Sequence, residues 1–485
     1  MRYRNLILLG VVLAALAGGG FWAWRARVEA KAVAAALPQR PDLRRYHVDL
    51  MARVAAAEEG VRQGRKAALA ELQSLYQVNG YLAEADHCGQ ALMHLELSNP
   101  LWPHRLATIR AGYGELETAI LLWERTVRQA PKFVPARIRL GDAYLKSNRD
   151  ADAQRTYEAV LAQESANPYA LVGLARLDVK AGNLTRARSR LEQAAEESRS
   201  AIGPDLLVTV YEQLGEEGRA RALRARVKAA GTYYDPPDPW LDVMFDQDCF
   251  DIFQLCVAAG FAEHRGDKER ARMLLERANG LEPKGGHVLL QLGMLCHRTR
   301  DMPSAQRYFE KATEVEPTMS DAWAQLINLY NEKGDRMASA RALAAGLTHC
   351  PNSPGLHLER ARRLAAGGQI DAAIAEYRLT YRLRPEEADP LIEIAQIYLK
   401  QERTAEAVAE LNEALLSEPE HPTALMILAM HAVQAGDEAE AREWIRRCHL
   451  QLRVPRDALA EITSRYAQRF GRPYPAAAFT PAVPK

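Results

Sequence analysis

Apolar and small residues recur along this chain at the spacing of one helix face. Residues 286–319 show two such stripes in succession, Leu289, Leu292, Gly293 and Cys296, then Ala305, Phe309 and Ala312. Between the two stripes most copies of the pattern carry a residue suited to left-handed backbone, namely Gly80, Gly114, Asn148, Gly182, Gly215, Gly266, Gly334, Gly368 or Gly436. The pattern therefore predicts pairs of antiparallel helices joined by tight turns.

The helix-pair pattern repeats with a period of 34 residues. Five prolines near the ends of predicted second helices share this spacing: Pro283, Pro317, Pro351, Pro385 and Pro419. A small residue of the second helix keeps the same register, with one interval of 33 and one of 51: Ala85, Ala119, Ala153, Ala187, Ala220, Ala271, Ala305, Ser339, Ala373, Ala407 and Ala441. Because proline cannot continue a helix, each proline ends one unit before the next begins.

A 34-residue period with this order of glycine, aromatic, alanine and proline positions resembles the tetratricopeptide repeat. The resemblance covers eleven units: 66–99, 100–133, 134–167, 168–200, 201–234, 252–285, 286–319, 320–353, 354–387, 388–421 and 422–455. Four positions depart from the pattern, Ser165 and Arg199 at the terminal proline and Gln73 and Ile327 at the small residue of the first helix. We expect Gln73 to weaken the edge of the first repeat.

The resemblance implies an all-α fold, a right-handed α-solenoid of about eleven helix pairs in two sub-arrays, residues 66–234 and 252–455. Before the array, residues 28–65 are predicted to be a basic linker that ends in a capping helix over 42–64. After it, residues 456–470 are predicted to form a second capping helix. The proline-rich tail, residues 471–485, is expected to be disordered.

Seventeen residues, Asp235 to Asp251, interrupt the array with six aspartates and no lysine or arginine. We call this segment the insert. One interpretation makes it a docking site for a basic partner or a divalent cation, with candidate residues Asp235, Asp238, Trp240, Asp246, Asp248 and Asp251. The glycine and glutamate positions of an EF-hand loop are missing, which disfavours the cation. We favour a structural interpretation, in which the aspartates face water while four apolar residues pack onto the ends of the two sub-arrays: Trp240, Leu241, Met244 and Phe250.

The N-terminal segment from Leu6 to Trp24 contains nineteen residues without a charge. As a helix it would be about 28 Å long, close to the thickness of a bilayer core. Arginines flank it, and Trp22 and Trp24 stand where an interfacial aromatic belt would lie. We therefore predict a membrane anchor within residues 1–27, a single transmembrane helix with the body outside the cytoplasm. A cleaved signal peptide, which would leave the protein secreted, remains open because Ala15-Leu16-Ala17 has the form of a cleavage site.

Composition excludes several classes of function. The net charge is +1, so no nucleic-acid partner is predicted. The six cysteines form no C-x-x-C pair, and the sequence contains no Walker loop, G-x-G-x-x-G, G-x-S-x-G or H-E-x-x-H motif. We expect no catalytic activity, no cofactor and no metal. Arginine supplies most of the 63 basic residues, which indicates a GC-rich, bacterial genome.

The resemblance also implies that a protein or peptide partner lies along the concave surface lined by the first helices. The register gives these polar candidates: His104, Asp142, Arg176, Glu263, His297, Asn328, Asn331, Arg362 and Gln396. One further group, Cys256, His264, Met294 and His297, falls on the first helices of adjacent repeats, where we favour helix packing over a metal site.

These features predict a membrane-tethered scaffold that binds protein or peptide partners during assembly of an envelope complex. The alternative is an accessory subunit of an envelope enzyme system, such as polysaccharide synthesis or export, or cytochrome maturation.

Overall fold

The computed structural model describes residues 22–43, 48–197, 203–227, 236–451 and 454–475. Every regular element in these ranges is a helix, as the predicted all-α fold requires. The chain divides into two compact units, the first ending at Pro283 and the second beginning at Lys284.

The first unit opens with α1 (residues 22–35) and α2 (Val48–Arg62). Antiparallel helix pairs follow: α3 (Lys66–Val78) with α4 (Leu82–Leu95), α5 (Leu101–Gly112) with α6 (Leu116–Gln129), α7 (Val134–Lys146) with α8 (Asp150–Leu161), α9 (Pro168–Lys180) with α10 (Leu184–Glu197), and α11 (Pro204–Gln213) with α12 (Glu217–Val227). The insert forms α13 (Pro239–Asp248), and α14 (Ile252–His264) pairs with α15 (Lys268–Leu281).

The second unit continues the pairs: α16 (Gly286–Arg298) with α17 (Met302–Val315), α18 (Ser320–Glu332) with α19 (Arg336–His349), α20 (Pro354–Ala366) with α21 (Ile370–Leu383), α22 (Asp389–Lys400) with α23 (Thr404–Ser417), and α24 (Pro422–Ala435) with α25 (Glu438–Leu450). The predicted C-terminal cap is α26 (Arg456–Phe470), which packs on α24 and α25. Each predicted repeat thus coincides with one helix pair.

Small residues and large aromatic residues interlock between the helices. The small residue that marks each second helix is at most 2% exposed in every repeat. On α8 the buried Tyr157 ring lies against Gly141 of its own repeat and Gly173 of the next. A Cβ atom at Gly141 would lie 2.6 Å from the Tyr157 ring, and one at Gly173 would overlap the same ring. Because protein interiors are close-packed, these glycines set how near the helices can approach.

The turns within the pairs have the predicted backbone. Gly266 and Asn148 have φ values of +83° and +56°, in the left-handed region. In four repeats an aspartate follows the turn residue and accepts a backbone N–H of the second helix: Asp267, Asp301, Asp335 and Asp437. These caps satisfy donors that the first helical turn otherwise leaves unpaired.

The segment before the array differs from the predicted linker, because helix α1 packs against the body. Val33 of α1 is fully buried, and the Lys66 ammonium lies 2.9 Å from the Glu29 carboxylate. Residues 6–21 of the predicted anchor lie outside the described residues. Among the helices that are described, none is both long and apolar enough to cross a membrane.

The division of the chain also differs from the prediction. The sequence places it at the insert, whereas the first compact unit extends to Pro283 and includes both the insert and the repeat that follows it. The physical reason is that α13 contacts both α3 and α14, so the insert connects residues 252–283 to the start of the array.

The first residues of the tail are ordered rather than disordered. Arg472 forms an ion pair with Glu438, with 2.6 Å between Nη2 and Oε1, and Tyr474 is buried against the Tyr466 ring. The remaining tail, residues 476–485, lies outside the described ranges.

The interlock at Tyr157 predicts a position-specific response to adding one methyl group. Replacing Gly173 with alanine should destabilise the first unit by about 1–3 kcal/mol, because the Tyr157 ring must move. Gly260→Ala on α14 is the matched control, since no atom lies within 4 Å of a Cβ built there. That control should be neutral or stabilising by up to about 1 kcal/mol. Thermal unfolding measures both, and equal effects of the two substitutions would contradict the packing described.

Candidate partner-binding faces

Successive first helices lie beside one another, with α7 contacting α9 and α18 contacting α20. Side chains at equivalent positions of neighbouring first helices are therefore brought together along one surface. We call this surface the first-helix face, and each compact unit has its own.

In the first unit the insert lies on the first-helix face. The carboxylate of Asp238, just before α13, is 2.8 Å from Nε2 of His104 on α5 and 3.3 Å from Nε of Arg139 on α7. Both His104 and Asp238 are buried, at 0% and 2% exposed. A buried carboxylate is stable only when it is paired and hydrogen-bonded, so this contact fixes the start of the insert.

Aromatic packing reinforces the same end. Trp240 stacks on Phe133 with ring centroids 3.6 Å apart and the planes 8° from parallel. The His104 ring meets both aromatic rings edge-on, at 5.3 Å from Phe133 and 5.6 Å from Trp240. The Arg105 guanidinium donates to the backbone carbonyl of Trp240 at 3.3 Å.

The other end of the insert is held by side chains of α2 and by residues of α3 and the turn after it. The Asp248 carboxylate accepts hydrogen bonds from Arg53, at 2.8 Å, and from the hydroxyl of Ser74. The Asn79 side chain donates to the carbonyl of Asp248 at 2.8 Å and accepts from the N–H of Phe250 at 2.7 Å. Asn79 is 1% exposed, so these bonds form out of contact with bulk water.

Arg265, which directly follows α14, and Arg270 of α15 hold the opposite side of the insert. Arg270 lies 2.8 Å from Asp246 and 3.2 Å from Asp242, and Arg265 lies 3.4 Å from Asp242. The favoured interpretation that the aspartates face water is wrong for Asp238 and Asp248, which are buried against basic side chains of the same chain. Asp242 and Asp246 are half-buried and paired with these arginines.

The two remaining aspartates of the candidate set have other places. Asp251 caps α14 by accepting the N–H of Gln254 at 2.9 Å. Asp235 lies outside the described residues.

Burial and neighbouring charges shift the pKa values of the groups around Asp238. Burial lowers the pKa of His104, and the hydrogen bond to Asp238 offsets this only in part. Burial alone would raise the pKa of Asp238, but the hydrogen bond and charge of His104 and the charge of Arg139 lower it overall. Burial also lowers the pKa of Arg105 to about 10, which leaves its guanidinium charged at neutral pH. Cations on the first-helix face thus meet a charged carboxylate of the insert.

A cavity of about 330 Å³ lies between the insert, α3, α5 and α14. Its lining is mainly apolar and includes Ile109, Leu241, Phe245 and Phe261, with Arg139 among the charged residues at its edge. The insert therefore does not fill all the space between itself and the face on which it lies.

The structure places the four predicted candidates of the first unit in different surroundings. His104 belongs to the insert contact, and Asp142 accepts the Tyr157 hydroxyl at 2.6 Å. Arg176 and Glu263 are partly exposed on α9 and α14. Gln73, predicted to weaken the edge of the array, is instead fully buried and accepts from Arg105 at 2.9 Å.

Sequence reasoning missed the other residues that contact the insert. Arg105 directly follows the candidate His104, and Arg139 lies 35 positions after His104, one more than the repeat period. This spacing places both arginines near His104 on neighbouring first helices and could have identified them from the sequence. Nothing in the repeat pattern points to Arg53 on the capping helix or to Asn79 at the turn.

In the second unit, polar candidates bond from one first helix to the next. His297 lies 2.9 Å from Glu332, the Asn331 amide donates to Glu359 at 3.3 Å, and Arg362 lies 3.3 Å from Glu393. We call this series the polar ladder: His297, Glu332, Asn331, Glu359, Arg362 and Glu393. Asn328 is exposed and Gln396 partly exposed on the same helices. The glutamates were missed, although each lies within six residues of one repeat period from its partner.

The cysteine and histidine group shows ordinary helix contacts. Nδ1 of His264 lies 2.8 Å from the Gly260 carbonyl oxygen, and Cys256 is a partly buried free thiol. Within the described ranges, no set of three or more histidine, cysteine, aspartate or glutamate residues is arranged to hold a metal ion.

Family models described as tetratricopeptide repeat match residues 151–202, 286–319 and 392–448. The chain contains tetratricopeptide repeats. The matched segments coincide with helices α8 to α10, α16 and α17, and α22 to α25.

Several named proteins resemble parts of the chain. Tetratricopeptide repeat protein 5 of Bos taurus is 32% identical over 93 residues, 19% of this chain and 21% of that protein. Cellulose synthase operon protein C of Xanthomonas axonopodis pv. citri is 27% identical over 394 residues, 70% of this chain and 25% of that protein. The solved structure of yeast Tom70 aligns with 84% of this chain and 96% of its own at 15% identity, with a TM-score of 0.37. The chain spans about a fifth to a quarter of the length of the curated relatives it matches.

The lowered pKa of His104 predicts a pH dependence of the first unit. Free histidine has a pKa of about 6.5, so on acidification the unfolded chain takes up this proton before the folded chain does. Stability contributed by neutral His104 is therefore present at pH 7.5 and declines as the pH falls towards the lowered pKa. The lowered pKa of Asp238 affects stability only below about pH 4. The contributions of His104 and Asp238 therefore fall in different pH ranges.

We expect His104→Gln to lose less thermal stability than the wild type between pH 7.5 and 5.5, because glutamine does not titrate. His94→Gln, at an exposed position of the same unit, is the control and should keep the wild-type loss. Calorimetric melting at both pH values measures the difference. An identical loss in the wild type and His104→Gln would contradict the assignment.

Proposed function

We propose that this protein is a non-catalytic scaffold that binds protein or peptide partners through its repeats, in assembly of an envelope complex. The observation that carries the proposal is the polar ladder on the first-helix face of the second unit. Its side chains present hydrogen-bonding groups in a regular series, and Asn331 and Arg362 are exposed to solvent. Tetratricopeptide repeats bind protein partners, which supports this use of the face.

The charges of the polar ladder suggest the kind of segment it would bind. Glutamates alternate with His297, Asn331 and Arg362, so the face is not dominated by one sign of charge. Such a face suits a segment with mixed polar side chains, because complementary charges raise specificity and suppress wrong partners. A net charge of +1 over the chain gives no support for a nucleic-acid partner.

A second candidate function is supported by a relative. Cellulose synthase operon protein C of Xanthomonas axonopodis pv. citri matches 70% of this chain, and cellulose synthase 1 operon protein C of Komagataeibacter xylinus matches 39%. The second proposal is that the chain is an accessory subunit of a polysaccharide synthesis or export system. This proposal predicts that cells lacking the chain export less polysaccharide than wild-type cells. Unchanged export in cells lacking the chain would contradict it.

We further propose that residues 6–24 tether the protein to a membrane with the repeats outside the cytoplasm. The uncharged run in the sequence supports the tether. Mass spectrometry of the mature N-terminus distinguishes the alternatives, since an anchor keeps these residues and a signal peptidase would remove them. Protease treatment of intact and opened cells would locate the repeats, and protection in cells whose outer layers are opened would contradict the proposed side.

The scaffold proposal predicts that partner binding depends on the polar ladder. Arg362→Glu places a second negative charge beside Glu393 and should release a co-purifying partner from gently solubilised membranes. Loss of the exposed ion pair itself should cost less than about 1 kcal/mol of stability, so the variant should remain folded. Lys311→Glu is the matched control on the exposed surface of the second helix α17 and should retain the partner. Equal recovery with both variants would contradict binding at the ladder.

A further inference from the structure

The insert is bound to the first-helix face in the way a ligand segment is bound. Residues 236–251 meet side chains that precede them by about a hundred positions or more, such as His104 and Arg139 with Asp238, and Ser74 with Asp248. The contacts are directional hydrogen bonds and ion pairs at the two ends, with one aromatic stack. These contacts do not recur with the 34-residue period of the array, although α13 also packs on α3.

The charges of the two surfaces are complementary. The insert contributes only acidic charges, while the cations that contact it include Arg105 and Arg139 of this face and Arg53 of the adjoining helix α2. The His104 imidazole adds a hydrogen bond to Asp238. An acidic segment from another protein with an aromatic side chain at the position of Trp240 would find the same partners. The face thus specifies a chemistry as well as a shape.

Packing beside the insert is incomplete. The half-open cavity of about 330 Å³ lies between parts of α13 and the first helices. Among the described residues, Nδ1 of His104, Oδ1 of Asp238 and Nε of Arg105 are buried without a hydrogen-bond partner. Each such atom weakens the contact relative to a fully satisfied one, which leaves room for a segment that fits better.

We propose that the first-helix face of the first unit is a recognition site for an acidic, aromatic-bearing segment of a partner protein, and that the insert occupies this site in cis. This inference rests on the proposed scaffold function, to which it adds a second partner-binding surface that selects acidic, aromatic segments. A competing segment displaces the insert and releases the repeat of α14 and α15 from α3, since the insert connects them.

A partner segment must bind the face tightly enough to displace the insert, which competes for the same contacts. A segment tethered within the same chain has an effective concentration of roughly millimolar, so a free segment with the same contacts competes only at comparable concentration. A natural partner therefore needs additional contacts, and the cavity beneath the insert offers space for them.

The first test uses the insert itself as a probe. A labelled synthetic peptide of residues 236–251, carrying Cys249→Ser, is titrated against the wild-type chain and against a chain with residues 236–250 replaced by a Gly-Ser linker of equal length. We expect the linker chain to bind the peptide at least about tenfold more tightly than the wild type, because the cis competitor is gone. Adding Arg139→Glu to the linker chain should abolish binding.

Two results of this titration would overturn the proposal. One is a folded linker chain, shown by an unchanged circular dichroism spectrum, that does not bind the peptide. The other is equal affinity for the wild-type and linker chains, which would place the peptide elsewhere.

A second measurement covers the case in which the linker chain does not fold. Cys249 is fully buried beside Val78, and burial raises the pKa of its thiol to about 12, so alkylation at neutral pH reports undocking of the insert. In the wild-type chain, millimolar peptide should accelerate Cys249 alkylation about tenfold or more while leaving the buried Cys448 of the second unit unchanged. The Asp238→Asn, Asp248→Asn peptide is the matched control and should have no effect.

An unchanged Cys249 rate at saturating peptide would overturn the proposal. This outcome is independent of the polar-ladder experiment, which uses the second unit and a natural partner, so failure of one can be told from failure of the other.

Discussion

The close approach of helices at small residues is the constraint on which the rest of this structure depends. Tyr157 fits against Gly141 and Gly173, and Phe309 against Gly293, because no side chain occupies the space on the other side. This interlock fixes the distance between neighbouring pairs and leaves the first helices side by side. Both the polar ladder and the contacts of the insert with the first-helix face depend on this spacing. Each needs side chains from successive first helices within hydrogen-bonding distance.

The first-helix faces of the two units differ in what covers their polar side chains. In the second unit, glutamates bond to His297, Asn331 and Arg362 across neighbouring helices and leave polar groups at the surface. In the first unit, the basic side chains are covered by an acidic segment of the same chain. The desolvation of Asp238 is offset by His104 and Arg139, which explains why a carboxylate can be buried there. If the insert is displaced as we propose, its release exposes the basic side chains of this face.

Sequence reasoning predicted the helix pairs because their signals are local and repeated. The glycine turns, the buried alanines and the terminal prolines recur in most repeats, so each boundary was supported many times. The position of the insert was not predictable in this way. Its contacts join residues as distant as Arg53 and Asp248, 195 positions apart, and occur once, without a period to reveal them. The interpretation of the aspartates as solvent-facing followed from their polarity alone and did not consider the arginines of the neighbouring helices as their partners.

The insert docks on the first-helix face through the contact between His104 and Asp238. A double-mutant cycle measures this contact, with His104→Ala, Asp238→Ala and the double variant compared by the free energy of unfolding of the first unit. Residues in direct contact couple, and we expect an interaction energy of about 1–3 kcal/mol. An interaction energy indistinguishable from zero would contradict the docked insert.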